Sequence, residues 1–349
     1  MYFLPKEYQV LLDQKISLFW SVLKTCLKIK KDEKILIITD YGMTNHNMAY
    51  LLAKGYQKAL EKKGYTVEFL VQDIKKGFMH VDSHVRLALD MLPEKNIIIM
   101  SLSNKLGRFG DRRSFRQFAK ERGHRFLSAS GLKDARNSQF PLFMEAMGVN
   151  YARMQKKGKA IKKLWDKGKK IKITTEAGTD LEVDIEEMEA INNTGDYSKP
   201  GFGGNLPAGE VYIAPKGIKG VSGKVVLDGS IRHESGSKLL SSSLTMYIEK
   251  GAIVKMDGED AKLMEDTFKL FEARAKFPER VRLIGEIGIG INPGAVLIGL
   301  ALMDEKVEGT AHIGIGSNAW FGGAIKTIFH GDQTFKNPTF YIDGKKMIF

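Results

Sequence analysis

One stretch, from Val281 to Asp332, constrains the rest of the chain: VRLIGEIGIGINPGAVLIGLALMDEKVEGTAHIGIGSNAWFGGAIKTIFHGD. A carboxylate, Glu286, stands in a glycine-rich run directly after a short apolar strand pattern. The acidic pair Asp304-Glu305 follows, then His312 inside the strand-like segment Thr310 to Gly316, then His330 and Asp332, two apart. Burying an unpaired imidazole or carboxylate in so apolar a setting is costly, so these groups need partners. A metal ion can serve several of them at once, and the stretch reads as part of a metal site.

Side chains two apart on an extended chain point the same way. His330-Gly331-Asp332 can therefore offer one nitrogen and one oxygen to an ion, with the glycine letting the backbone come close. His312 lies among Ala311, Ile313 and Gly314; its partner is a backbone carbonyl or a metal. Glu210, which begins a short strand after Asn205-Leu206-Pro207-Ala208-Gly209, has the same apolar flanks as Glu286. Glu210, Glu286, His312, His330 and Asp332 make a mixed nitrogen and oxygen set suited to two divalent ions. Two such ions bring four positive charges; three carboxylates and a bridging hydroxide cancel them, which a partly buried site prefers. Two ions about 3.5–4 Å apart lower the pKa of a shared water and polarise a carbonyl, which is hydrolytic chemistry. Without thiolates the donors suit Zn²⁺, Co²⁺ or Mn²⁺. Asp304 and Glu305 could support this shell by accepting a proton from His312, or form a charged turn with Lys306. Trp320 and Phe321 line a pocket or simply pack.

The N-terminal half alternates helix and strand patterns. Leu12, Ile16, Phe19, Leu23 and Cys26 mark one face of a helix over about residues 6–30. Strands are expected at 35–38, 66–71, 97–100 and 126–129, with helices between them through Leu51, Leu52, Tyr56 and Leu60, over 85–92 and over 113–121. That alternation predicts a doubly wound α/β domain over residues 1–150. No GxGxxG or P-loop opens any of its helices, and Ser101 to Asn104 reads as a plain turn. A basic helical stretch over 151–170 connects to a region with a period of two, where 172–175 and 181–184 form a hairpin. Further strands are expected at 211–214, 224–227, 244–249 and 252–256, with a helix over 259–275. Residues 171–349 are thus expected to form an α+β domain rich in antiparallel sheet that carries the metal site.

The net charge of +13 and pI near 9.4 raise the question of an acidic partner. The lysines are scattered in short clusters and do not interleave with aromatics, so they read as a solvated surface and no nucleic-acid partner is expected. The single cysteine, Cys26, allows neither an internal disulfide nor a cysteine zinc site. The opening MYFLPKEYQ lacks the pattern of a signal peptide and no apolar run is long enough to span a bilayer, so a cytoplasmic protein with no membrane partner is expected.

Five motifs in order, Asn205-Leu206-Pro207-Ala208-Gly209-Glu210-Val211, Gly285-Glu286-Ile287-Gly288-Ile289-Gly290, Asp304-Glu305-Lys306, Gly309 to Gly316 and His330-Gly331-Asp332, resemble those of the aminopeptidase T family of thermophilic metallopeptidases. The likeness covers most of the chain and is strongest after residue 170. It implies an aminopeptidase that releases N-terminal residues from peptides through water activated by two metals, working as a homodimer around an enclosed cavity. Carried over by motif, Glu210, Glu286, His312, His330 and Asp332 are the metal ligands, Glu286 is the bridge, and Glu210 and Glu286 are the catalytic carboxylates. One departure stands out: the tyrosine that family members carry seven residues after the ligand histidine is Ala319 here. The dihydroxypyridine dioxygenases of the same superfamily, which hold one Fe²⁺ with His and Asp for ring opening, are the second reading; they would match at His330 and Asp332. Their histidine after the third strand is missing from Asn104 to Arg108, which puts them behind the aminopeptidases. A non-catalytic basic binding protein with a vestigial site is the third.

Overall fold

A computed structural model describes residues 4–111 and 113–348. It divides into two compact units: residues 1–151 with 195–208, and residues 152–194 with 209–349.

In the first unit four strands, β1 (Ile35–Thr39), β2 (Val67–Val71), β3 (Ile97–Leu102) and β4 (Arg125–Ser130), lie parallel in the order β2-β1-β3-β4. The short strand Gly203–Asn205 returns to extend this sheet beside β4. Every residue of β1 and β3 is buried, because helices cover both faces of a parallel sheet and leave its central strands no polar side. The crossovers are helices Met48–Lys62, Ser83–Met91 and Phe115–Glu121. Ser114 caps the last of these, its Oγ accepting from Gln117 N at 3.1 Å. The turn after β3 is held from β1: the Asp40 carboxylate accepts from Ser103 N at 2.8 Å and Ser103 Oγ at 2.5 Å.

Two expectations differ in detail. The helix expected over 6–30 is two helices, Lys6–Gln14 and Ile16–Val22, separated at Lys15 and continued by a wider turn over Leu23–Leu27. Helix Phe140–Met147 was not expected at all. Its sequence FPLFMEAM is apolar nearly all round and five of its residues are buried, so it carries no polar face to betray its period.

In the second unit helix Tyr151–Trp165 leads into a seven-stranded antiparallel sheet that contains the expected hairpin, Lys170–Thr174 with Asp180–Asp184. A second, five-stranded antiparallel sheet matters more for function. Its order is β8-β7-β6-β5 followed by strand Ile191–Asn193, with β5 at Glu210–Ile213, β6 at Ile284–Gly290, β7 at Thr310–Gly316 and β8 at His330–Lys336. No helix among the described residues is long and apolar enough to cross a membrane.

Candidate metal centre

The five-stranded sheet sorts its side chains by parity. Ile287, Ile289, Ala311, Ile313, Ile315 and Phe335 alternate onto one face and are buried there. Glu210, Glu286, His312, His330 and Asp332 occupy the alternate positions of the same strands and share the other face. Register explains the glycines. Glu286 lies opposite Gly314, His312 opposite Gly288, Glu210 opposite Gly290, Asp332 opposite Gly314 and His330 opposite Gly316. Each expected ligand therefore faces a residue with no side chain. The space is needed: a β-carbon on Gly288 would lie 2.0 Å from His312 Nε2.

These side chains close into two triads, Glu210-Glu286-His312 and Glu286-His330-Asp332, with Glu286 in both. His312 Nε2 is 3.4 Å from Glu286 Oε1 and 3.7 Å from Glu210 Oε2. His330 Nε2 is 3.9 Å from Glu286 Oε2 and 3.4 Å from Asp332 Oδ1. These separations exceed a good N–H···O bond and suit donors gathered round a shared cation. The chemistry of the set fits as well: hard oxygen and imidazole donors, with no sulfur. His330 Nδ1 lies 2.9 Å from the Ser317 carbonyl, which turns Nε2 toward the carboxylates. The two triads differ in access. Side-chain exposure is 6% for Glu210, 7% for Glu286 and 0% for His312, against 26% for His330 and 12% for Asp332. Solvent reaches the centre from the His330 side.

Lys306, not singled out in the sequence except as a turn residue, turns out to be completely buried beside this cluster. Its ammonium donates to Glu210 Oε1 and to the Glu305 carboxylate. Asn193 Nδ2 donates to the same Glu210 oxygen at 2.9 Å. Of the two roles read for Asp304 and Glu305, the structure shows the pairing with Lys306, at Glu305, and not support of His312. Asp304 accepts from Ile298 N at 2.7 Å, Glu305 meets Lys306, and His312 Nδ1 has no hydrogen-bond partner among the described residues.

Electrostatics follows from burial and crowding. Desolvation raises the Glu286 carboxyl, aided by Asp332 and opposed by His312. Desolvation also holds Glu305 well above the usual range, with Lys306 opposing and Glu210 and Asp332 reinforcing it. A protonated Glu305 can donate to Asp332, whose own carboxyl is lowered despite burial by the charge of His330. Burial works against a charged His330, but Asp332 and Glu286 outweigh it and push its pKa up to about 9. Lys306 places a positive charge against Glu210 and Glu305, inside a cluster of carboxylates where the count made on sequence had none.

The loop after β7 carries Trp320. Asn318, fully buried, ties it down by donating to Gly285 O and accepting from Ile325 N, both at 2.8 Å. Trp320 then meets His330 edge to face with ring centroids 4.6 Å apart, while half of its own surface stays exposed. Phe321 packs against Tyr212.

A model of the NicX family, 2,5-dihydroxypyridine 5,6-dioxygenase, matches residues 138–349, a span that includes all five expected ligands, Lys306 and Trp320. The chain belongs to that family. The NicX match reverses the order of the two enzyme readings made on sequence. Over the whole fold the chain is similar to 2,5-dihydroxypyridine dioxygenase from Pseudomonas putida KT2440, with a TM-score of 0.75, 17% identity, and coverage of 97% of this chain and 96% of that one. It is also similar to AmpT from Thermus thermophilus, with a TM-score of 0.64, 13% identity, and coverage of 97% and 100%. At such identities these two likenesses speak for the fold. No curated protein matches the chain.

Proposed function

We propose that this protein is a ring-opening dioxygenase that acts on a hydroxylated pyridine or a similar flat, electron-rich ring and depends on one Fe²⁺. The observation that carries the reading is the NicX match across the whole candidate centre. Three features of the centre support it. The buried Lys306 ammonium already supplies one positive charge against Glu210, beside the carboxylates. The position where aminopeptidases carry a catalytic tyrosine is Ala319. The exposed Trp320 beside His330 offers a flat apolar surface at the open side of the cluster.

In this reading Glu286, His330 and Asp332 hold the ion. Ferrous iron, when bound, supplies the redox chemistry that lets dioxygen react with the ring. The protein residues do the rest. Ser317 O fixes the His330 ring through Nδ1, so that Nε2 faces the carboxylates. Trp320 stacks the substrate over the accessible side. Glu305, its carboxyl held above the usual range by burial, lies beside Lys306 and Asp332. The test is oxygen uptake by protein loaded anaerobically with Fe²⁺ and given 2,5-dihydroxypyridine. Uptake that needs both iron and the ring supports the reading; none, with hydrolysis of aminoacyl amides instead, overturns it.

That outcome would favour the second reading, a metallo-aminopeptidase. Its specific support is the second triad, Glu210-Glu286-His312, which shares Glu286 with the first, as two co-catalytic ions require. Neither triad contains two imidazoles, so the arrangement departs from the two-His, one-carboxylate pattern common among iron oxygenases.

A further inference from the structure

We infer that Lys306 is an internal cation that fixes the metal stoichiometry of the centre. It weakens the Glu210-Glu286-His312 position and leaves Glu286-His330-Asp332 as the one tight position. The inference rests on the reading of this cluster as a metal centre.

The two positions look alike in donor type, each with one imidazole and two carboxylates. They differ in what else touches the donors. Both oxygens of Glu286 face imidazoles, Oε1 toward His312 and Oε2 toward His330. Glu210 has only one oxygen to spare: Oε1 already accepts from the Lys306 ammonium and from Asn193 Nδ2, and Oε2 alone faces His312. Lys306 has no exposed surface, so water cannot screen its charge from an ion on the other oxygen of the same carboxylate. A divalent ion there must accept a like charge close by and share a carboxylate that the lysine has partly neutralised. No lysine or arginine makes an ion pair with Glu286 or Asp332 among the described residues. An affinity gap of about a hundredfold between the two positions, roughly 2.7 kcal/mol, is a modest demand on such a difference. The lysine thus occupies the electrostatic place of a second ion without being exchangeable.

The experiment is a Co²⁺ titration of metal-free protein by calorimetry, with cobalt absorption as the second readout. Wild type is expected to bind one ion tightly and a second at least tenfold more weakly. Lys306→Met should bring the two affinities to within about threefold. His330→Ala should remove the tight step, and His312→Ala only the weak one. Should Lys306→Met fail to fold, Lys306→Gln carries the same expectation, since it removes the positive charge and keeps a polar side chain that can donate a hydrogen bond. Two equal sites in wild type, or an unchanged gap in the folded lysine variant, would overturn the inference while leaving the metal centre standing. No binding of Co²⁺ at all would overturn both. A lysine with a purely structural role would lower the melting temperature and leave the ratio of affinities unmoved.

Discussion

Glu286 and Gly314 face each other across β6 and β7, and a β-carbon placed on Gly314 would come within 2.6 Å of Glu286 Cβ and 3.0 Å of Asp332 Oδ1. Gly314 has no unusual backbone angle to preserve, so alanine there is a test of space alone. Gly314→Ala should lower affinity for a divalent ion by at least about tenfold, because Glu286, Asp332 and His330, whose Cε1 would lie 3.2 Å from the added carbon, must move apart to admit one methyl group. Circular dichroism should show the sheet intact. Unchanged affinity would mean that these donors do not share an ion.

Trp320 gives a separate handle on the substrate. Stacking a flat ring on an indole contributes about 1 kcal/mol. Trp320→Ala should therefore raise KM for a dihydroxypyridine by roughly fivefold, with metal affinity unchanged, since the side chain offers no ligand atom. A fall in kcat alone, with KM constant, would place Trp320 outside the substrate site.

Metal binding should stabilise the second unit. At a free ion concentration a hundred times the dissociation constant, the native state gains about 2.7 kcal/mol. Thermal melts with and without Fe²⁺ under argon should show this as an upward shift of the melting temperature. Glu286→Ala, which removes the carboxylate shared by both triads, should abolish it. A shift that survives the substitution would move the ion elsewhere.

A histidine far from the site in sequence, His124, should govern part of the acid stability. It is fully buried, its Nδ1 accepts from Asn96 N at 3.2 Å, and its Nε2 lacks a partner among the described residues. Burial, helped by Arg122, lowers its pKa from 6.5 to about 4. Between those values the unfolded chain binds the proton and the folded one does not. The stability that depends on a neutral His124 is complete above pH 6.5 and is lost as pH falls toward 4. About 2 kcal/mol should be lost between pH 7 and pH 5. Urea titrations of wild type and His124→Gln should differ in pH slope over that interval; parallel slopes would count against the assignment.

The parallel strands of the first unit were legible where their patterns were simple. Ile35 to Ile38 and Ile97 to Met100 announce buried parallel strands because nothing polar interrupts them. The side chains expected as ligands stood out in the sequence, Glu286 and His312 most of all because glycines and aliphatics surround them, and the structure gathers all five on one face. Lys306 was not, since in a chain with 54 lysines and arginines one more looks like surface. Only pairing shows that its ammonium reaches Glu210, 96 positions earlier. The choice of family was equally hard to read from motifs. The two candidate families share the His330 and Asp332 positions, and Ala319 weakens one reading as the absence of histidine near Asn104 weakens the other.

The five donors come from four neighbouring strands, and alternation leaves no tolerance in how those strands align. If β7 shifted by a single position against β6, His312 would turn into the isoleucine layer and Ile313 would take its place. A chain that mispairs these strands therefore has no centre to fill. An ion that lodges only in the correct alignment would act as a proofreader of folding as well as a participant in chemistry.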